Sequence, residues 1–321
     1  MINYPSQNLV EKIFLFLDST ETLLYINTRE NEKNLKVFKG VIAVKKLLIA
    51  LAIIFAIVGG LIFYLFQREE GGVPILLYHQ VNNIDQDSLT LTVEQFDAQI
   101  KYLVDEGYTI ITPTELLDAW DGNGSLPPKP AVITFDDGHV EFYKNVFPIL
   151  KKYNVMATVF VVTDFLNLYP NYLTWDQARE MQASGLVDFE SHTLNNRVLT
   201  KIKSRDKLWD QIYGSKQAIE WYLKKPVQYI AYPGGQYDVY VEDLSKEVGY
   251  RAGFTLDYNL THKLPQHYLL ARIPIYGANE HTFFRFQLRL KGAPVFAPLK
   301  RYKEKLIDDG NEEIASLIWI P

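Results

Sequence analysis

Pro130-Ala131-Val132-Ile133-Thr134-Phe135-Asp136-Asp137-Gly138 runs a short apolar stretch straight into two adjacent carboxylates and a glycine. Leu126–Pro130 before it is a proline-rich loop, and Ala131–Phe135 has the length and β-branched content of a strand. Outward from this strand the pattern repeats. Ile75–Tyr78, Thr109–Ile111, Ala157–Val162, Val187–Glu190, Gln228–Ala231 and Ala252–Thr255 read as further strands. Between them Val93–Glu106 and Arg205–Leu223 carry apolar residues at helical spacing. Gly107, Gly185 and Gly249 follow helical patterns, where a left-handed cap favours glycine. Strand–helix alternation predicts a parallel sheet, open or closed. Some seven or eight strands in about 210 residues suit a distorted (β/α) barrel.

The N-terminal side differs. Leu47–Phe66 contains no charged residue, and about twenty helical residues span roughly 30 Å, the thickness of a bilayer core. Lys45 and Lys46 precede it; Arg68, Glu69 and Glu70 follow. Lysines on that flank predict a single-pass anchor at 47–66, with residues 1–44 a short cytoplasmic segment and residues 71–321 outside the cell. A buried core helix and a cleaved signal peptide are the alternatives. Glu11–Leu17 and Glu21–Ile26 have apolar character suited to a small helix or hairpin. The tail from about residue 281 reads as a C-terminal extension without a legible role.

The chain has 321 residues, 48% hydrophobic, with a formal net charge of -5 and no cysteine. A large core is available, there is no basic footprint for nucleic acid, and thiolate metal sites and disulfides are excluded. Any metal is held by His, Asp, Glu, Asn or carbonyl oxygen.

Four strand ends deliver unusual polar residues: Tyr78-His79, Asp136-Asp137-Gly138, Ser191-His192-Thr193 and Tyr232-Pro233-Gly234-Gly235. A parallel barrel gathers its strand C-termini on one rim, where such folds place their chemistry. Two adjacent carboxylates repel. A divalent cation on one relieves this and leaves the other free as a base; an Asx turn with helix capping is the bland alternative. His192 is the best imidazole ligand. His79 suits a general acid, or a histidine merely hydrogen-bonded in the barrel mouth. His139, His262, His267 and His281 read as loop residues. Tyr172, Trp175 and Trp221 are candidates for stacking on sugar rings, or for core.

These segments together resemble the polysaccharide deacetylase family, the NodB-homology carbohydrate esterases. Thr134-Phe135-Asp136-Asp137-Gly138 is similar to its first signature, Ser191-His192-Thr193 to its second, and Ala231-Tyr232-Pro233-Gly234-Gly235 to its third. Leu76–Val81, Phe147–Leu150, Ala157–Val161 and Leu270-Ala271-Arg272-Ile273-Pro274 resemble flanking text, so the likeness covers about residues 73 to 276. The early Tyr78-His79 is similar to the circularly permuted branch, which includes poly-N-acetylglucosamine deacetylases.

The resemblance implies a metal-dependent hydrolase that removes N-acetyl groups from a cell-surface polysaccharide, with peptidoglycan as an alternative substrate. It implies Asp136 as base, His79 as acid, and Asp137 and His192 as ligands of a divalent metal, zinc or else Co, Mn or Ni. It places Tyr232, Pro233, Gly234 and Arg272 on the substrate and oxyanion side, and a polysaccharide-synthesis complex is a conceivable partner. Two departures stand out. The family's second histidine, four residues after the first, is Asn196 here, a candidate third metal ligand through its amide oxygen, which is neutral and binds zinc less well than imidazole. That leaves a carbohydrate-binding pseudoenzyme as the alternative. Ala231 stands where many relatives carry arginine, a charge that Arg272 could supply beside Asp136.

Overall fold

Strand side chains alternate between two faces, and here one face looks into a barrel and the other out to helices. The computed structural model describes residues 31–67, 72–263, 267–277 and 282–321. The chain divides into two units after Tyr64. Helix α1 (Asn31–Gln67) holds one stretch long and apolar enough to cross a membrane, Lys39–Gly60, with mean hydropathy 2.7. The span expected at 47–66 lies within this helix. Glu11–Leu17, Glu21–Ile26 and His281 lie outside the described residues.

The second unit supplies the strands. In chain order they are β1 (Ile75–Tyr78), the two-residue β2 (Gln80–Val81) and β3 (Thr90–Leu91), β4 (Thr109–Ile110), β5 (Pro130–Asp137), β6 (Ala157–Val161), β7 (Val187–Ser191), β8 (Tyr229–Ala231), β9 (Ala252–Tyr258) and β10 (Leu270–Pro274). The parallel order β1-β10-β9-β8-β7-β6-β5 closes on itself through β1–β5, with Ile75 opposite Val132 and Tyr78 opposite Phe135. The ring therefore has seven strands, as the sequence predicts, but with one change of membership. Among the described residues Thr109–Ile110 pairs only with the start of β5, outside the ring. Its place is taken by β10, whose apolar pattern is broken by Arg272.

Inward residues Ile75, Val132, Phe160, Tyr229, Ala231, Phe254 and Leu270 form one buried cluster. Leu116, Leu117 and Trp120 join it from α3 (Pro113–Asp121), closing the end where the strands begin. Outward residues, among them Leu76, Tyr78, Ile133, Phe135, Val159, Phe189 and Tyr232, form the larger cluster under the helices. That layer includes α2 (Val93–Asp105), α4 (Phe147–Tyr153), α5 (Trp175–Ala183), α6 (Arg205–Trp209), α7 (Ser215–Leu223) and α8 (Val239–Val248). A five-residue π-helical stretch, Asp210–Gly214, joins α6 to α7 and makes the predicted 205–223 helix continuous.

Helix α2 starts with a reciprocal cap. Thr92 accepts from the Gln95 amide, and Gln95 accepts from the Thr92 amide at 2.8 Å. The face so aligned buries Phe96, Gln99, Ile100 and Leu103. Thr92→Ala removes one of these bonds; the expected cost is about 1 kcal/mol, read as a melting temperature roughly 2–4 °C lower. The extension contains α9 (Phe283–Asp308), with Pro294 and Pro298 inside it, and α10 (Glu312–Ser316). Helix α9 buries Phe286, Leu290, Ala293 and Ala297.

Candidate active site

Alternation along β5 turns Val132, Thr134 and Asp136 inward, and Asp136 is buried at the rim. Asp137 breaks the alternation because its φ is +74°. Thr193 (φ 67°) and Asn196 (φ 59°), after β7, are left-handed as well. For a β-branched threonine this is a costly conformation, and such strain gathers at functional sites. Gly138 (φ +85°) completes the turn; a Cβ there would stand 2.9 Å from Val161 Cγ1. Gly138→Ala is expected to cost about 1–3 kcal/mol from the strained φ, measurable by urea denaturation, and to lower activity by displacing Asp137.

Arg272, from β10, is fully buried. It donates to both oxygens of Asp136 at 2.7 and 2.8 Å, and its Nε donates to the Thr255 carbonyl at 2.8 Å. The guanidinium is thereby enclosed and committed to Asp136 and Thr255. It supplies the positive charge beside Asp136. Burial alone would raise the Asp136 pKa. The Arg272 charge, with His192 adding to it, outweighs that and holds the carboxyl below its ordinary range.

His192 Nδ1 lies 2.9 Å from the Ala231 carbonyl. A carbonyl only accepts, so Nδ1 carries a proton, and in the neutral ring Nε2 is then the nitrogen that presents a lone pair. Nε2 faces Asp137 Oδ1 at 3.7 Å and Asp136 Oδ2 at 4.0 Å. Asn196 Nδ2 donates to the same Asp137 Oδ1 at 3.0 Å. An imidazole lone pair facing carboxylates calls for a cation between them. The 3.7 Å separation is close to the span of two ligands each about 2.0–2.2 Å from one ion. The carbonyl behind the ring is the usual outer support of a metal-binding histidine. Asp137 and His192 therefore fit a metal. Among the described residues, however, no three His, Asp or Glu side chains form a metal-holding group.

His79 follows β1. Burial lowers its pKa against the opposing pull of Asp136 and Asp137. Its buried Nδ1 has no hydrogen-bond partner among the described residues. Tyr232 does not serve the rim. It points outward into the helix layer, and its hydroxyl lies where a Cβ on Gly253 would come within 2.2 Å. Its amide bonds the Phe254 carbonyl at 3.0 Å. Pro233 and Gly234 form a tight turn above it, with Gly234 at φ 62°. The clearest contribution of this segment is the Ala231 carbonyl, a backbone atom that carries no side-chain signal.

His139, read from sequence as a loop residue, is buried with Nε2 3.6 Å from Asp137 Oδ2. Its ring stacks on Tyr172 at 4.7 Å. Of the aromatic candidates, Tyr172 thus borders the site. Trp175 is core, stacked on Tyr222 at 4.4 Å, and Trp221 is exposed beside Lys224.

The sequence profile of the polysaccharide deacetylase family matches residues 123–253. The Streptococcus pyogenes deacetylase PplD, solved with acetate, is 30% identical with a TM-score of 0.61; the match covers 64% of this chain and 92% of that one. The chain belongs to the polysaccharide deacetylase family. A Bacillus cereus polysaccharide deacetylase is 28% identical with a TM-score of 0.59, covering 68% of this chain and 69% of that one. A poly-β-1,6-N-acetyl-D-glucosamine N-deacetylase of Staphylococcus aureus is 29% identical over 233 residues, 68% of this chain and 79% of its own length. As a polysaccharide deacetylase the chain is a hydrolase of N-acetyl amide bonds.

Proposed function

We propose that this polysaccharide deacetylase removes acetyl groups from an N-acetylglucosamine polymer at the cell surface, with a divalent metal, zinc foremost, held by Asp137 and His192. The observation that carries this reading is His192 Nε2 facing Asp137 Oδ1 at 3.7 Å, with Asp136 and Arg272 locked beside it. Asn196 is the third candidate donor, through its amide oxygen after rotation. When bound, the metal supplies Lewis-acid polarisation of water and carbonyl.

The protein groups do the rest. Asp136 is charged and retains lone pairs beyond those given to Arg272, so it accepts a proton from the attacking water. The water oxygen bonds to the acetamide carbon. The Gly234 amide donates to the oxygen that gains charge. His79 gives a proton to the leaving nitrogen as the C–N bond breaks, yielding acetate and an amine. The Asp136 and Asp137 carboxylates favour the His79 cation that donates this proton, against the burial that disfavours it. Tyr172, and the exposed Tyr169 packed near it, provide a ring surface for neighbouring sugars.

We place the N-terminus in the cytoplasm and the catalytic unit outside, since Lys45 and Lys46, within α1, precede its uncharged run 47–66. The domain division follows: residues 1–44, the anchor at 47–66, and an extracytoplasmic unit from 71 to 321. The test is acetate release from N-acetylglucosamine oligomers, and from N-acetylated peptidoglycan, with added Zn, Co, Mn or Ni and after chelation. Metal-dependent release from the oligomers supports the reading. Oligomer binding that survives chelation, with no release under any metal, replaces it with the pseudoenzyme favoured by Asn196.

A further inference from the structure

We infer that His139 is a positioning residue of the metal centre, one that holds the outer oxygen of Asp137 so that the inner oxygen faces His192. The inference rests on the metal-dependent reading of this site.

The two oxygens of Asp137 have different company. Oδ1 faces His192 Nε2 at 3.7 Å and accepts from Asn196 at 3.0 Å. Oδ2 faces His139 Nε2 at 3.6 Å. A carboxylate turns easily about its last torsion, where the wells are broad. With only one firm ligand beside it, such a carboxylate needs a second hold to keep Oδ1 on the metal side. Among the described residues His139 is the side chain that stands at Oδ2.

Its ring is itself well fixed. Its backbone bridges that of Tyr172, with Val140 N bonding Asn171 O and Leu173 N bonding Gly138 O, each at 3.0 Å. The ring is buried and lies nearly parallel to that of Tyr172, at 27°. A fixed imidazole 3.6 Å from the outer oxygen, beyond hydrogen-bond length but within ion-pair reach, is an outer-sphere arrangement that can set the direction of a ligating carboxylate. It also explains how the site tolerates Asn196. Orientation lost with a third strong ligand is recovered by fixing the first.

The experiment measures Co(II) and Zn(II) affinity of the full chain by competition with a chromogenic chelator. Three variants are compared: His139→Phe, which keeps the stacking and loses the donor, His139→Gln, which keeps an amide donor, and Asn196→Ala. His139→Phe is expected to weaken binding about 10–100-fold, and His139→Gln to restore it to within about threefold. Unchanged affinity in His139→Phe overturns the inference. So does X-ray absorption that counts two imidazoles on the wild-type metal and one in His139→Phe, because His139 would then be a ligand. Circular dichroism and metal-free melting of His139→Phe check the fold, and the glutamine rescue excludes a purely structural loss. Acetate release is scored separately: the affinity pattern without release refutes the deacetylation reading alone, and release with wild-type affinity in His139→Phe refutes this inference alone.

Discussion

Arg272→Met is expected to abolish acetate release and to destabilise the fold by about 3–5 kcal/mol, the cost of leaving one partner of a buried pair alone. The guanidinium is enclosed, bonds both Asp136 oxygens, and anchors to Thr255 O. Without it, the largest influence opposing burial is gone and the Asp136 pKa is expected to rise, so the base is lost by protonation. The pH dependence should reverse with it. In the wild type the folded pKa is depressed, so Asp136 contributes stability above the ordinary carboxylate range that fades as pH falls through the folded value. In the variant the folded pKa is raised, and stability is highest in acid and falls as pH rises. Urea denaturation across pH reads both. The double variant Asp136→Leu, Arg272→Met should recover most of the lost stability with no activity, since it removes both charges together. A stable, active Arg272→Met protein would remove the pair from the mechanism.

Most of the ring was legible because its strands are apolar runs bounded by loops and helical patterns. Position 272 shows where that signal stops. An arginine inside a barrel looks like the end of a strand, yet Arg272 is at home there because Asp136, 136 residues away in sequence, is its partner. The reverse holds for Thr109–Ile110, which looks like any strand but, among the described residues, has only the start of β5 to pair with.

The site residues divide in the same way. Asp136, Asp137 and His192 announce themselves by type and position at strand ends. Tyr232, at the end of β8, turns its side chain into the outer cluster. Strict alternation, with Ala231 inward, already puts Tyr232 outward. His139 has no periodic signal. Its burial depends on the turn after Gly138 and on Tyr172, a contact between loops that sequence spacing does not encode. Ala231's role lies in a carbonyl, which any residue would supply.

Asp137→Asn isolates charge from shape. Asparagine is isosteric and tolerates positive φ, so the backbone at φ +74° is not at issue. Burial pushes the Asp137 carboxyl up, but the His139 contact and the fields of His192 and His79 outweigh it and bring the pKa to about 2. The folded value lies below the unfolded 3.8, so the group contributes stability above the unfolded pKa, lost as pH falls through about 2. At 1.36 kcal/mol per unit, that contribution is about 2 kcal/mol above the unfolded pKa while the neighbouring histidines are cations. Metal-free Asp137→Asn should therefore melt roughly 4–8 °C lower in that range, with the gap closing toward pH 2. Activity should fall on the order of 10²–10³-fold or more. Zinc at a hundred times its Kd should stabilise the wild type by about 2.7 kcal/mol and leave the variant unmoved. A variant that zinc still stabilises fully would show that the metal sits elsewhere, and the roles given to Asp137 and His192 would fall together.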